Sequence, residues 1–309
     1  MPPALFFDRV VPEDVIELVG GRGAIIGPAD ADLPRADAVI AGSRRWDGPT
    51  MDLAPRLRVI SRIGVGYDTV DVAAASERRV AVCFAPDAPT VSTAEHTVAL
   101  LLAVTKDIGG WVNRSSAARP GAMPGIELDG RTLGLFGFGR IARRVAMVAR
   151  ALGMHTIAHD PFVAPDEQDV TLVDADELWR RSDVVTLHAP ATPSTRHVVN
   201  ASTLATMRPG SFLVNCARGA LVDHDALLDA LERGQLAGAA LDVTEPEPLP
   251  ADHPLRRHPR VVITPHIASH TAVGRLRLYA HAIDNALAVL AGEPGCRVPE
   301  QSVGPRSAS

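Results

Sequence analysis

The sequence predicts an α/β protein of two domains, and three observations support this. The chain has 309 residues, whereas a single hydrophobic core stops growing at about 250–300 residues. Short apolar runs of strand length alternate with amphipathic stretches of helix length. The alternation forms two separate series, so we expect two largely parallel sheets with helices packed on them.

The first series, within the first hundred residues, predicts a smaller α/β domain. A helix is predicted to begin at Pro12, because Glu13 and Asp14 place negative charge in its first turn. The predicted strands are Ala4–Phe7, Ala24–Ile26, Ala38–Ala41, Val59–Ile63 and Ala81–Cys83.

The second series predicts a Rossmann-type doubly wound parallel sheet. A largely apolar helix from Val91 to Asp107 precedes it, followed by a stretch without clear periodicity, Gly109 to Gly125. A last helix, Thr271 to Leu290, is long enough to return to the first domain, and the tail after Gly292 is expected to fray. The predicted strands are Thr132–Phe136, His155–His159, Val184–Leu187, Ser211–Asn215, Gly238–Leu241 and Val261–Thr264.

Composition excludes several classes of function. The net charge of -5 argues against a nucleic-acid-binding surface, and three scattered cysteines argue against a disulfide framework or structural zinc, so no metal is expected. Lys106 is the single lysine, which excludes a Walker A site. No apolar run approaches the ~20 residues that cross a bilayer, and Asp8 interrupts the start, so we expect a cytoplasmic protein.

A dinucleotide site is predicted where the first strand of the second series ends. The motif G-x-G-x-x-A runs from Gly137 to Ala142, and its second glycine, Gly139, allows a pyrophosphate to approach the start of the next helix. Asp160 follows 21 residues after Gly139, where the fingerprint has an acid for the ribose hydroxyls. A carboxylate there repels the 2′-phosphate of NADP, and the next residue, Pro161, brings no positive charge, so NAD is favoured.

Three charged residues follow the later strands: Arg218, Glu247 and His266. Because the carboxyl ends of parallel strands lie at one edge of a sheet, we expect the three to converge there. Arginine can bind a carboxylate with two hydrogen bonds, and histidine can exchange a proton near neutral pH. A neighbouring glutamate stabilises the imidazolium.

These segments resemble the D-isomer-specific 2-hydroxyacid dehydrogenase family, which includes phosphoglycerate, glyoxylate and hydroxypyruvate reductases. The resemblance covers nearly the whole chain. Besides the glycine motif, it is carried by I-G-V-G-Y-D at Ile63–Asp68, A-E-H-T at Ala94–Thr97, L-H-A-P-A-T-P-S-T at Leu187–Thr195, N-C-A-R-G at Asn215–Gly219, L-D-V-T-E-P-E-P at Leu241–Pro248 and T-P-H-I-A-S at Thr264–Ser269.

The resemblance implies an NAD-dependent enzyme that interconverts a D-2-hydroxy acid and its 2-keto acid. Arg218 anchors the substrate, His266 is the acid/base and Glu247 its partner. Backbone N–H groups of Gly64, Val65 and Gly66 are expected to bind the substrate carboxylate. Residues expected around the cofactor are Gly137, Gly139, Arg140, Ile141, Asp160, Pro161, His188, Pro190, Thr195, Cys216, Ala217, Asp242 and Ser269.

The same resemblance implies a homodimer and two domains, namely a Rossmann-type NAD domain and a smaller flavodoxin-like α/β substrate domain. The substrate domain is expected to comprise Met1–Ala94 and Ala282–Ser309, and the NAD domain Glu95–His281. We expect Cys216 to be a packed wall residue rather than a nucleophile, and His96 to be structural.

Two alternatives remain open. Arg44 and Arg45 follow a strand of the first series and are candidates for binding a second anionic group, which keeps a phosphonate- or phosphite-type dehydrogenase possible. The other alternative is an NAD(H)-binding protein of the corepressor type, which resembles the enzymes at the three charged positions.

Overall fold

The computed structural model describes residues 1–111, 124–164 and 170–301. The chain divides into two compact units. One consists of Met1–Pro89 together with the chain from His270 onward, and the other of Thr90–Ser269. None of the helices within the described ranges is long and apolar enough to span a bilayer.

Strands and helices alternate along the described chain. The strands are β1 (Ala4–Phe7), β2 (Ala24–Ile26), β3 (Ala38–Ala41), β4 (Val59–Arg62), β5 (Ala81–Cys83), β6 (Thr132–Phe136), β7 (His155–His159), β8 (Thr171–Leu172), β9 (Val184–Leu187), β10 (Ser211–Asn215), β11 (Leu236–Leu241) and β12 (Val261–Ile263). The α-helices are α1 (Glu13–Val19), α2 (Gly48–Asp52), α3 (Val72–Glu77), α4 (Thr90–Thr105), α5 (Ile108–Trp111), α6 (Arg140–Ala151), α7 (Ala175–Arg181), α8 (Ala201–Thr206), α9 (His224–Glu232) and α10 (Ala272–Leu290).

The first unit contains a five-stranded parallel sheet. Its strand order, β2-β1-β3-β4-β5, is that of flavodoxin-like folds. Successive strand residues point to opposite faces, so Phe6 joins one apolar cluster while Leu5 and Phe7 join another with the buried side of α10. Tyr279 and Ile283 of α10 lie one helical turn apart in that second cluster.

The chain after α10 does not fray up to Gln301, contrary to the expectation from sequence. Cys296 O accepts a hydrogen bond from Phe84 N, and Val298 is fully buried. The side chain of Gln301 accepts from Val82 N at 2.6 Å. The segment therefore covers β5, an edge strand whose backbone groups would otherwise face solvent.

The second unit contains a seven-stranded parallel sheet of order β12-β11-β10-β9-β6-β7-β8. The order reverses between β6 and β9, the point at which open α/β sheets bind ligands beyond the carboxyl ends of their strands. One apolar cluster includes Leu101 of α4 and Val145 of α6, and the other Leu178 of α7 and Leu227 of α9. Helices thus cover the sheet on both faces.

The predicted fold class is confirmed. Each predicted strand is present, with ends shifted by at most two residues, as in β11, which begins at Leu236 rather than Gly238. The strand β8 was missed because two residues carry no periodic pattern. In the stretch predicted to lack periodicity, α5 forms a short turn, while residues 112–123 lie outside the described chain.

The units divide at Pro89/Thr90 and Ser269/His270, whereas the sequence placed the boundaries five and twelve residues further along, inside α4 and α10. Each helix belongs wholly to one unit because its side chains share a single packing surface: α4 packs on β10 and β11, and α10 on β3 and β4. The chain therefore passes between units in the loops that precede these helices.

Candidate active site

The second unit brings together the three charged residues that follow its last strands. Arg218 follows β10, Glu247 follows β11 and His266 follows β12. These strands are neighbours and run parallel, so their carboxyl ends deliver the side chains to one edge. The positive charge of Arg218 acts on His266 and opposes its protonation. The convergence expected from the sequence is present.

His266 and Glu247 form a hydrogen-bonded pair. Nδ1 of His266 lies 2.6 Å from Oε1 of Glu247. This hydrogen bond raises the pKa of His266 above its ordinary value, against the opposing effects of burial and of the Arg218 charge. Since Nδ1 is bound to the carboxylate, proton exchange with a ligand falls to Nε2. The pair is built to keep the imidazole protonated to higher pH.

The backbone at His266 has an uncommon conformation, with a φ of +54°. Left-handed backbone is unfavourable for residues other than glycine and persists where the surroundings hold it. His266 N donates to Asp242 O at 2.7 Å. The carboxylate of Asp242 accepts from Ile267 N and Ala268 N, both at 2.9 Å. Asp242 thus fixes the backbone on both sides of the histidine.

Asn215 shapes the loop that carries Arg218. Its side chain is fully buried at the end of β10. Nδ2 donates to Arg218 O at 2.9 Å, and Oδ1 accepts from Ala217 N at 3.0 Å. Arg218 also donates from its guanidinium to Ala217 O at 2.7 Å. Gly219 follows directly, and a Cβ there would lie 2.1 Å from the backbone of Thr244, so no other residue fits this turn.

The glycine loop joins β6 to α6 at the point where the strand order reverses. Gly137 has a φ of +91°, and a Cβ on it would lie 2.8 Å from the backbone of His188, the residue that follows β9. Gly139 is the N-cap of the twelve-residue helix α6, and nothing lies within 4 Å of the position its Cβ would take. This open space at a helix N-terminus fits a pyrophosphate.

Asp160 lies at the end of β7, beside the same loop. Its Oδ2 accepts from Phe138 N at 2.8 Å, and its Oδ1 accepts from Phe162 N at 2.9 Å. The carboxylate is thereby tied to the glycine loop. This places its negative charge where the sequence predicted a ribose contact, and Pro161 next to it is exposed.

The remaining residues predicted around the cofactor also lie in the second unit. Burial lowers the pKa of His188 to about 3, so its imidazole is neutral. Thr195 Oγ1 donates to Pro190 O at 2.6 Å, which closes the loop after β9. Burial raises the pKa of the Cys216 thiol to about 12, which fits a packed wall residue rather than a nucleophile. The others lie in the first turn of α6 or in the loops that follow β10 and β12, namely Arg140, Ile141, Ala217 and Ser269.

The predicted substrate-carboxylate loop belongs to the first unit. Gly64, Val65 and Gly66 follow β4 there, and Arg62 donates to Gly66 O at 2.9 Å. Their role toward a substrate stays a prediction.

Arg44 and Arg45 both have acidic neighbours within the first unit. Arg44 pairs with Asp30 at 2.5 Å and lies over the ring of Trp46, 5.2 Å from its centroid. Arg45 is 82% exposed, with its guanidinium 3.7 Å from Asp47. A role for either residue in binding a second anion stays a prediction.

Three residues of the site carried no catalytic signal in the sequence: His96, Asn215 and Thr264. His96 Nε2 lies 3.1 Å from Thr264 Oγ1, and Thr264 Oγ1 donates to Asp242 at 2.5 Å. All three lie within motifs that carry the resemblance. The hydrogen bonds of Asn215 stay within its own motif, whereas those of Thr264 join segments that no local pattern connects. His96 is separated from Thr264 by 168 residues.

A family model and several known proteins are similar to this chain. The family model described as D-isomer specific 2-hydroxyacid dehydrogenase, NAD binding domain, matches residues 98–268. The chain belongs to the D-isomer-specific 2-hydroxyacid dehydrogenase family. Within this family, it is 35% identical to a glyoxylate reductase from Thermofilum pendens, over 94% of this chain and 92% of that protein.

Two further relatives show the range of the family. The chain is 38% identical to a D-3-phosphoglycerate dehydrogenase of Methanocaldococcus jannaschii, over 85% of this chain and 51% of the relative. It therefore spans about half the length of such dehydrogenases. The crystal structure of an NADPH-dependent glyoxylate/hydroxypyruvate reductase from Sinorhizobium meliloti superposes with a TM-score of 0.88 at 30% identity, covering 100% of both chains.

Proposed function

We propose that this chain is an NAD-dependent D-2-hydroxyacid dehydrogenase, which interconverts a D-2-hydroxy acid and its 2-keto acid by hydride transfer. One observation carries the proposal: a histidine bound to a glutamate at 2.6 Å, with an arginine beside it, at the carboxyl edge of a sheet whose glycine loop fits a pyrophosphate. These are an acid/base group, its partner and a carboxylate anchor.

The roles of the three residues follow from their chemistry. NADH, when bound, supplies the hydride that C2 of the keto acid receives. Arg218 binds the substrate and polarises its carbonyl oxygen. His266 donates the Nε2 proton to that oxygen as the hydroxyl forms, and Glu247 stabilises the imidazolium before the transfer. In the oxidative direction, neutral His266 accepts the hydroxyl proton.

The cofactor preference is proposed to be NADH over NADPH. Asp160 presents a carboxylate beside the glycine loop, and its two backbone contacts hold it in place. The 2′-phosphate on the ribose of NADPH would be repelled by this carboxylate. The relative from Sinorhizobium meliloti is described as NADPH-dependent, so the preference has to be measured for this chain.

The proposed substrates are small 2-keto acids. Glyoxylate and phosphohydroxypyruvate are suitable first choices, because the relatives include a glyoxylate reductase and phosphoglycerate dehydrogenases. They also differ in charge, since phosphohydroxypyruvate carries a phosphate, which Arg44 or Arg45 would bind. A homodimer and a cytoplasmic location, both expected from the sequence, stay predictions.

The test follows NADH oxidation by the purified protein with glyoxylate, hydroxypyruvate and phosphohydroxypyruvate, and repeats it with NADPH. We expect turnover with NADH, and a fall of about 10²–10⁴-fold in kcat for His266→Ala, because the proton donor is lost. His155→Ala is the matched control, since His155 is an exposed histidine of the same unit.

Two outcomes would contradict the proposal. One is His266→Ala turning over like the wild-type protein. The other is tight NADH binding without turnover of any keto acid, which would favour the corepressor-type binding protein.

A further inference from the structure

His96 connects the two ends of the second unit. It lies on α4, directly after the chain enters this unit at Thr90. Its ring contacts Thr264, in the segment that leads to the exit at Ser269. This second segment carries His266. The first helix of the unit therefore contacts the segment of the proposed acid/base residue.

The direction of these hydrogen bonds follows from the proton count. Thr264 Oγ1 lies 2.5 Å from Asp242 Oδ1, and an ionised carboxylate only accepts, so the hydroxyl donates its one proton to Asp242. At its 3.1 Å contact with His96, the same hydroxyl can then only accept. His96 must therefore carry its proton on Nε2.

The same N–H of His96 also faces the carboxylate. Nε2 lies 3.3 Å from Oδ1 of Asp242, whose side chain is fully buried. A buried carboxylate needs hydrogen-bond donors, since burial without them is costly. The donors to this carboxylate are Thr264, Ile267 and Ala268, and His96 reaches it through the hydroxyl of Thr264.

What Asp242 holds is the turn around His266. Its carboxylate accepts from Thr264 on one side, and from Ile267 and Ala268 on the other. Its carbonyl accepts from the amide of His266, the residue with the left-handed backbone. A shift of Asp242 would move all of these contacts together. Orientation errors of about 1 Å at a reacting group can cost about 100-fold in rate.

We infer that His96 is a positioning residue for His266, acting through Thr264 and Asp242. It donates from Nε2 to Thr264, which in turn donates to the Asp242 carboxylate, and so holds the turn that presents the acid/base ring. The kinetic consequence rests on the proposed function. The structural consequence does not rest on it: when the His96 donor is removed, the amides of the turn should exchange hydrogen faster.

The experiment compares His96→Leu, which removes the donor at similar side-chain size, with His96→Gln, whose amide nitrogen can take the place of Nε2. His155→Leu is the matched control on the exposed face of β7. Each variant is characterised by kcat, the KM for NADH, the melting temperature, and hydrogen exchange at the amides of Ile267 and Ala268.

For His96→Leu we expect kcat to fall by about 10- to 100-fold, with the KM for NADH changed by less than about threefold. Exchange at the two amides should accelerate by about tenfold, as for the loss of one hydrogen bond. His96→Gln should restore kcat to within about threefold of wild type. His155→Leu should leave every quantity unchanged.

Several results would overturn the inference: His96→Leu with wild-type kcat and exchange, His96→Gln as impaired as His96→Leu, or a loss of kcat that only parallels a lower melting temperature. If His96→Leu does not fold, His96→Asn replaces it, since its amide is too short to reach Thr264. If the wild-type protein turns over no keto acid, the proposed function fails, while the exchange measurement still decides whether His96 holds the turn.

Discussion

Replacing Asn215 by leucine tests whether the Asn215 side chain fixes the backbone of the loop that carries Arg218. The substitution keeps the branched shape of the side chain and removes two hydrogen bonds, from Nδ2 to Arg218 O at 2.9 Å and to Oδ1 from Ala217 N at 3.0 Å. Both backbone groups belong to half-buried residues, so water can partly replace the lost partner. Each bond is then worth about 0.5–1.5 kcal/mol, and the variant should lose about 1–3 kcal/mol of unfolding free energy.

The kinetic effect should exceed the loss of stability. Without Asn215 the peptide of Arg218 is no longer fixed, so the guanidinium samples positions away from the substrate. We expect kcat/KM for the keto acid to fall by up to about 100-fold, while the dissociation constant of NADH changes little. Urea unfolding gives the stability, NADH oxidation gives kcat/KM, and fluorescence titration gives the affinity for NADH.

The control is Asp174→Ala, which removes the N-cap hydrogen bond to Glu177 N at the start of α7. It should cost about 1 kcal/mol without affecting turnover. If Asn215→Leu is destabilised by the expected amount and still retains the wild-type kcat/KM, the loop does not depend on Asn215 for its shape.

Four further substitutions concern the proton donor and the cofactor site. Glu247→Gln removes the carboxylate that raises the pKa of His266, so the alkaline loss of reductase activity should move to lower pH, and an unmoved kcat profile would contradict the proposed pair. Gly139→Ala, at a position with open space, should leave the melting temperature unchanged and weaken NADH binding by about 5- to 150-fold. Gly137→Ala, with a φ of +91° and its Cβ 2.8 Å from backbone, should lower both stability and affinity, and equal effects of the two alanines would be inconsistent with this geometry. Asp160→Ala should raise kcat/KM for NADPH relative to NADH several-fold, and an unchanged ratio would show that the carboxylate does not select the cofactor.

The local elements of this protein could be predicted from the sequence because they depend on short-range patterns. Runs such as Ala38–Ala41 and Thr132–Phe136 are apolar over the length of a strand, and they form β3 and β6. The glycine motif and Asp160 follow their strands at spacings that backbone geometry requires. The sequence also predicts Arg218, Glu247 and His266 at one edge of the sheet, because each follows a predicted strand and parallel strands end at the same edge.

Contacts between distant segments could not be predicted in the same way. The covering of β5 by the segment around Val298 depends on an edge strand that lies more than 200 residues earlier in the chain, and the sequence therefore predicts a frayed tail. The boundary before α10 depends on which sheet the helix packs against, and its own amphipathic pattern does not specify the partner.

The strand–helix alternation, the glycine loop and the types of residue at the carboxyl edge follow from the sequence alone, because each depends on residues that are neighbours in the chain. The folded chain was needed to show that His96 contacts Thr264, that Asp242 spans the turn and that His266 adopts a left-handed backbone. Hydrogen bonds between residues far apart in the chain exist only once the sheet has fixed their distances, and these bonds set the direction in which the proposed acid/base ring points.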